Sequence, residues 1–377
     1  MTKNKIFSFF SGCGILDLGF EKAGYDIVFV NEIFKPFQDA YAYSRKKMGI
    51  ADPEYGYHNT DVNSYLNENM EQMKTMIAAA RKDGSLVGFI GGPPCPDFSI
   101  AGKQKGRDGD NGKLSLSYIN LILRMHPDFF LFENVKGLWK TARHREFYEE
   151  LKKMLREAGY YLTDRLTNSL EFGVAQDRDR ILMVGISNDL LKTDYKGENN
   201  NLLQFPWVSH LKYSLDQLQD IPWPDREPFE INSVSECPDG VPLELTVEYC
   251  FEKNDVENHP DGKRFFTPKA GLQKMLVIDE GDANKKSYKR LHRWRYSPTC
   301  AYGNNEVHLH PYKARRLSVA EAMSLQSLPK EFCLPPDMTL TDCFKTIGNG
   351  VPFIMANGIA LSIQEYLETA IKRKENE

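Results

Sequence analysis

Between Lys5 and about Gly185 the sequence repeats one pattern. Short apolar runs of four to seven residues, "KIFSFF", "DIVFVN", "LVGFIGG", "DFFLFENV" and "RILMVGI", are separated by longer amphipathic stretches. Runs this short, rich in β-branched and aromatic residues and closed by glycine or an acid, read as buried strands. Helical segments between such strands imply crossover connections, and crossovers imply a parallel sheet covered on both faces. The expected fold class is therefore α/β, a doubly wound and mostly parallel sheet. In open sheets of this kind, ligands bind beyond the carboxyl ends of the strands. The residues just after each run are thus the first place to look for chemistry.

From residue 187 the texture changes. Stretches such as "KGENNN", "DIPWPDREPF" and "ECPDGVP" show little sustained period, so a second, smaller and irregular domain is expected over 187–339. The catalytic domain is assigned to 1–186 and 340–377, because the amphipathic helix in "PFIMANGIALSIQEYLETAIKRK" most simply packs back on the first half. With 41% apolar and 27% charged residues the chain has the composition of a water-soluble protein. No run approaches the roughly 18 apolar residues of a membrane span, and no cleavable leader is recognisable, so a cytoplasmic protein without membrane contact is expected. Seven cysteines, scattered and never as C-x-x-C, suit a reducing compartment and suggest neither disulfides nor a metal site.

The first run leads into "FFSGCGILDLGF". Gly12 and Gly14 permit a tight turn and close backbone approach to a ligand at a helix start. Glu32, at the end of the second run and 20 residues after Gly12, can accept both hydroxyls of a ribose. Asp61, in "HNTDVN", is placed to receive an adenine amino group. A full G-x-G-x-x-G is missing, and a pyrophosphate needs that cradle more than an uncharged linker does. S-adenosylmethionine fits this turn better than a dinucleotide.

The third run ends in "GGPPCPDFSIAG". Proline removes backbone donors and biases its neighbour away from helix. Cys95 is thus held on a rigid loop just past a strand end. The fourth run ends in "FENV", which places Glu133 on the same edge. In "QDRDR", Arg178 and Arg180 alternate along an extended segment and should share one face. The net charge is −4, yet residues 282–316 hold nine Lys or Arg against two acids, with Tyr288, His292, Trp294 and Tyr296 interleaved. That mixture suits phosphate and base contacts.

The ordered blocks "FSGCG", "NE", "GGPPCPDFS", "FENV", "QDRDR", "RRLSVAEAMSLQSLP" and "IGNGVP" together resemble the DNA (cytosine-5) methyltransferase family of bacterial type, over nearly the whole chain except about 187–290. The resemblance implies an S-adenosylmethionine site made by Phe10, Gly12, Gly14, Glu32, Ile33, Asp61 and Pro93, closed by Asn349 and Val351. It implies Cys95 as nucleophile, Glu133 as the acid engaging the cytosine ring, and Arg178 and Arg180 as the arginines holding the base and its phosphate. The irregular domain becomes a target-recognition domain. Ser99, Lys103, Gln104 and Arg107 in the loop after Cys95, with Arg293, Arg295 and Arg316, become candidate DNA contacts. Ile15 stands where the family usually has a second glycine and Pro96 where glutamine is common, so altered turn packing and an altered contact near the vacated base stack are expected.

The chemistry needs these residue types. The fifth carbon of cytosine is too weak a nucleophile for a methyl sulfonium until a thiolate adds at the sixth carbon and turns the ring into an enamine. An unperturbed thiol near pKa 8.5 is only about 3% ionised at pH 7, so Cys95 needs a nearby cation or proton transfer during attack. Glu133 would deliver a proton or strong hydrogen bond to ring nitrogen three. Since none of this works inside a duplex, the target base must be flipped out. Double-stranded DNA is the expected partner, with the enzyme acting as a monomer and a cognate restriction endonuclease acting separately. The same residues would serve cytosine-5 methylation of tRNA, whose sequence marks the variable region lacks. A catalytically silent DNA-binding protein on the same fold would have no need of Cys95, Glu133 and paired arginines.

Overall fold

A computed structural model of the chain describes residues 3–94, 110–269, 271–284, 287–300, 302 and 307–372. The first half alternates as the apolar runs require: β1 Lys5–Phe9, α1 Ile15–Lys22, β2 Asp26–Asn31, α2 Lys35–Lys47, β3 Tyr57–His58, α3 Met70–Ala80, β4 Val87–Gly91, α4 Asp110–Met125 and β5 Phe129–Val135. Helices α5 Lys136–Lys140 and α6 Ala142–Glu157 lead to β6 Tyr160–Asn168, β7 Gln176–Asp177 and β8 Asp179–Ser187. Short elements follow: α7 Leu215–Gln219, α8 Val247–Lys253, α9 Leu272–Leu276 and β9 Ser297–Pro298. Helices α10 Val319–Leu325, α11 Leu340–Asn349 and α12 Phe353–Ala370 complete the order.

Seven strands form one sheet in the order β3-β2-β1-β4-β5-β8-β6. The pairs among β1 to β5 are parallel, so those strands end at one edge. The strand in "RILMVGI" departs from the all-parallel expectation, because β8 runs antiparallel to both β5 and β6. Its direction follows from chain length, since only Ser169–Arg178 separate it from β6, too few for a crossover. Strand β6 itself is invisible as an apolar run. It is a sheet edge whose "LTDRLT" segment is mostly half-buried, so Asp164 and Arg165 are tolerated in it.

Successive side chains on the strands serve opposite faces, as the period of two demands. Phe7 and Phe89 join α3, α4 and α6 in one core layer, while Ile6 and Ile90 join Phe20 of α1 and Met355, Ile359 and Ile363 of α12 in the other. A third cluster packs α8, α10 and α11 against Cys13, Ile15 and Leu18 at the start of α1. Through it the C-terminal half is seated directly beside the glycine turn. Past β8 the chain stays on the sheet layer for a while: Leu202 N–H donates to the Leu162 carbonyl, and the Trp207 indole donates to Thr163. The stretch Leu340–Ala370 is apolar enough by composition to cross a membrane, but it is the α11–α12 pair and 67% of its apolar window is buried in the fold.

Helix α12 packs back on α1 at very short range. A Cβ on Gly19 would lie 2.5 Å from the Ala356 Cβ and 2.6 Å from the Asn357 nitrogen. Gly19→Ala should therefore lower stability by about 1–2 kcal/mol despite its better helix propensity, because overpacking against backbone outweighs the gain. Urea unfolding of the two proteins measures it.

Candidate active site

Strand β1 opens into a turn with three left-handed residues, Phe10, Gly12 and Gly14, at φ 54°, 57° and 80°. Gly14 has a second constraint, since a Cβ there would sit 2.3 Å from the Tyr41 ring. Phe10 adopts this conformation without glycine's freedom, and its ring meets Tyr118 edge-on at 6.0 Å. Glu32, at the end of β2, is 8% exposed and receives the Gly12 N–H at 2.9 Å and the Phe34 N–H at 2.8 Å, one on each oxygen. Burial pushes its carboxyl up, opposed by those two N–H groups and by Lys345. Ile33 and Phe34 beside it are 62% and 38% exposed. Asp61 is exposed and accepts from the Asn63 backbone and side chain, both at 2.9 Å. Asn31 holds that loop in place through the carbonyls of His58 and Thr60. At the far side Asn349 is exposed, whereas Val351 is buried in the core and offers a wall rather than a donor. Ile15 is buried against Gly350, where a Cβ would lie 2.5 Å from its Cδ1, so the bulk in place of a glycine is absorbed by Gly350.

Along the same edge, β4 runs into Gly92 and the buried Pro93. A Cβ on Gly92 would lie 2.4 Å from Glu133 Oε2, and Asn134 reaches the Pro93 carbonyl at 3.4 Å. The entry to the proline loop thus rests on the end of β5. Arg180 Nε pairs with Glu133 Oε1 at 2.6 Å, with both side chains about a tenth exposed. The pairing register explains this: Arg180 faces Val135 and is therefore diagonal to Glu133. Cys95, Pro96, Ser99, Lys103, Gln104 and Arg107 lie outside the described residues.

Arg178 and Arg180 differ in their surroundings. Arg178 falls in the break between β7 and β8, is 1% exposed, and donates to the Gly348 carbonyl at 2.8 Å and the Cys300 carbonyl at 3.5 Å. Burial and the neighbouring Arg180 charge lower its pKa to about 9, with Glu133 opposing. Its hydrogen bonds join the end of α11 to the segment after β9, so it fastens the walls of the site together.

The expectation for the basic strip is corrected. Arg293 is buried and satisfied by Glu280, at 2.9 and 2.7 Å, and by the Ser233 carbonyl and hydroxyl, with its guanidinium over the Tyr312 ring. Four of its five side-chain N–H donors are thereby committed inside the fold, and at 4% exposure it presents almost no surface to DNA. Arg290 is likewise buried, donating to the carbonyls of Ile278, His310 and Met275. Arg295 and Arg316 keep partial exposure, Arg295 beside Tyr296 and Arg316 near the rings of Phe266 and Tyr288.

Several polar residues escaped the sequence reading. Gln176 donates to the Leu325 carbonyl and accepts from the Cys300 N–H, while Gln326 donates to the Ile347 carbonyl. Beneath the glycine turn, Asp17, Glu21 and Arg45 form a buried charged group. Burial raises Asp17 from 3.8 to about 6 and Glu21 from 4.5 to about 7, with Arg45 opposing both. His259, Asp261 and Cys333 lie close enough together to suggest a metal, beside a cavity of about 150 Å³. His259 and Asp261 are already engaged in hydrogen bonds: His259 accepts from the Asp261 N–H and bonds the Phe332 carbonyl, and Asp261 accepts from Arg264 and the Leu334 N–H. The cluster is a hydrogen-bonded clamp.

Residues 4–365 match the family model described as C-5 cytosine-specific DNA methylase. The chain is 53% identical to the type II methyltransferase M.NmeDI of Neisseria meningitidis serogroup C, over 98% of this chain and 86% of that protein. It is 30% identical to M.FnuDI of Fusobacterium nucleatum, over 98% and 97%. Among solved structures it resembles a prophage-encoded E. coli protein of DNA modification methyltransferase type, with a TM-score of 0.65 at 21% identity over 97% of this chain and all of the other. It also resembles the S. pombe Dnmt2 methyltransferase, with a TM-score of 0.59 at 15% identity over 96% and 99%. At these identities the two structures speak for the fold.

Two outcomes follow from the buried charges. Arg293→Met should cost about 3–5 kcal/mol in urea unfolding, because the buried Glu280 loses its guanidinium and keeps only the backbone N–H of residue 293 and the nearby His292, while the salt dependence of DNA binding by the folded protein stays unchanged. Asp17 and Glu21 have folded pKa values above their unfolded ones, so the stability they contribute is present below about pH 4 and is lost as pH rises through 6 to 7. Asp17→Asn should accordingly gain stability relative to the native protein between pH 5 and pH 8, measured by unfolding at each pH.

Proposed function

The chain belongs to the family of C-5 cytosine-specific DNA methylases, and from that premise we propose how its residues divide the work. It is a DNA (cytosine-5) methyltransferase of the type II kind, and it uses S-adenosylmethionine. The residues at the β1–β2–β3 edge fit that cofactor. Glu32 keeps two lone-pair positions after accepting two backbone N–H groups, Ile33 and Phe34 offer exposed apolar surface to a base, and Asp61 is an exposed acceptor. In our reading Phe10, Gly12, Gly14, Glu32, Ile33, Asp61, Pro93, Asn349 and Val351 hold it. When bound, it supplies a methyl group activated on a sulfonium.

In the proposed mechanism, the Cys95 thiolate adds to the sixth carbon of a flipped-out cytosine, and the electron pair moves onto the fifth carbon, which takes the methyl group. Glu133, carrying a proton on its second carboxyl oxygen, donates it to ring nitrogen three as the thiolate adds, while Arg180 holds the first oxygen. Loss of the proton from the fifth carbon then expels Cys95 and restores the aromatic ring. The observation that carries this reading is the contact of Gly92 with Glu133 Oε2, because it supports seating the root of the Cys95 loop against the acid. Arg178 serves in this scheme by fastening the wall behind Arg180.

We assign catalysis to 1–186 with 340–377 and target recognition to 187–339. We further propose a monomer acting on double-stranded DNA in the cytoplasm, without a metal ion, beside a separately acting restriction endonuclease. The type II names of the relatives support that setting.

Methyl transfer from labelled S-adenosylmethionine to unmodified duplex DNA, mapped at base resolution, tests the function. The expected result is 5-methylcytosine within one short sequence, with Cys95→Ser slower by about a thousandfold or more. Transfer only to tRNA, or undiminished transfer by Cys95→Ser, would overturn it.

A further inference from the structure

Arg45 is a cation with almost no water: its side chain is 1% exposed, in the last turn of α2. Burying a guanidinium is costly unless its charge and donors are matched, so its partners indicate what it is for. Nε pairs with Glu21 Oε2 at 2.8 Å, the guanidinium stacks 4.3 Å from the centre of the Tyr41 ring, and Nη2 donates to the Gly14 carbonyl at 2.7 Å. Gly14 is the left-handed residue that opens α1, and its carbonyl also accepts the Leu18 N–H that begins the helix.

Tyr41 and Arg45, one helical turn apart on α2, therefore grip the same residue. The tyrosine ring occupies the space where a Cβ on Gly14 would stand, and the arginine holds the Gly14 carbonyl. The neighbouring supports point the same way. Asp17 in the first turn of α1 accepts the Ser8 hydroxyl of β1 at 2.9 Å, and Glu21 one turn later holds the guanidinium. The turn so fixed carries the Gly12 N–H that donates to Glu32. A chain of contacts thus runs from α2 through Arg45 and Gly14 to the acid assigned to the ribose.

We infer that Arg45 is a positioning residue of the cofactor site, setting the glycine turn and through it the Glu32 carboxylate for an adenine nucleoside. The inference rests on the reading of that turn as the S-adenosylmethionine site. It distinguishes Arg45 from a general fold stabiliser, because the group it grips is the turn itself.

The experiment uses the full-length enzyme with Arg45→Met, which keeps an apolar stem and removes the donors. Arg45→Met/Glu21→Gln is studied beside it, so that no buried carboxylate is left without its cation. Binding of S-adenosylhomocysteine is measured by calorimetry, and steady-state methyl transfer is followed with cofactor and duplex DNA varied separately. Both variants should bind S-adenosylhomocysteine about tenfold more weakly and show a matching rise in KM for S-adenosylmethionine. The kcat at saturating cofactor and the KM for DNA should stay within about threefold. Arg45→Lys, with one compact ammonium to share between Glu21 and the Gly14 carbonyl, should fall between native and Arg45→Met. Unchanged cofactor affinity in the folded variants would overturn the inference, as would losses spread evenly over cofactor, DNA and kcat. Failure of the double variant to fold would also overturn it, by making Arg45 a residue of the fold. If the native protein bound no S-adenosylhomocysteine, the reading of the turn itself would fall, and the inference with it.

Discussion

Parallel alignment of β1 to β5 is the constraint on which the rest of this molecule depends. Because these strands run the same way, the residues that follow them collect at one edge: the glycine turn after β1, Glu32 after β2, Asp61 after β3, Gly92 and Pro93 after β4, and Glu133 at the end of β5. Residues more than 120 positions apart in sequence, such as Gly12 and Glu133, are thereby placed along one sheet edge. Antiparallel β8 then completes the edge from the opposite side by bringing Arg180 in diagonally to Glu133.

The fold class and much of the site could be read from the chain because strand ends are marked locally. An apolar run closed by glycine or an acid is a short-range signal, and it identified Glu32, Glu133 and the proline loop without any knowledge of tertiary contacts. Strand β6 and the direction of β8 could not be read this way. An edge strand needs only partial burial and so carries charges like Asp164, and direction is set by connection length rather than by composition. Arg293 departs from the expected DNA contact for a related reason. Its partner Glu280 lies just outside the basic segment, and a charge count over a window cannot see a pair made across its boundary. Arg45 gave no signal, because an arginine near the C-terminus of a helix usually faces solvent and favours the helix dipole.

Three fully buried arginines share a use that composition does not suggest. Arg45, Arg178 and Arg290 each donate to backbone carbonyls of other segments, and of the three only Arg45 has a carboxylate within bonding distance among the described residues. A planar guanidinium with five donors suits this work, since it can satisfy several loop carbonyls that no regular element pairs. Irregular backbone, such as the stretches around Ile278, Cys300 and His310, is thereby given hydrogen-bond partners in the interior. Positive charge that looks available for DNA is partly committed to the architecture, and the DNA-facing charge in the 282–316 strip is smaller than its sequence implies.

The central claim is a covalent route through Cys95 at the edge shared with Glu133. Duplex DNA carrying 5-fluorocytosine in the recognised sequence tests it most directly, since fluorine cannot leave as the proton does and the reaction should stop with the enzyme attached. Incubation with S-adenosylmethionine followed by mass spectrometry of the digested complex is predicted to show a methylated fluorocytosine bonded to the peptide that contains Cys95. Attachment at another cysteine, or no attachment while ordinary cytosine in the same sequence is methylated, would contradict the account.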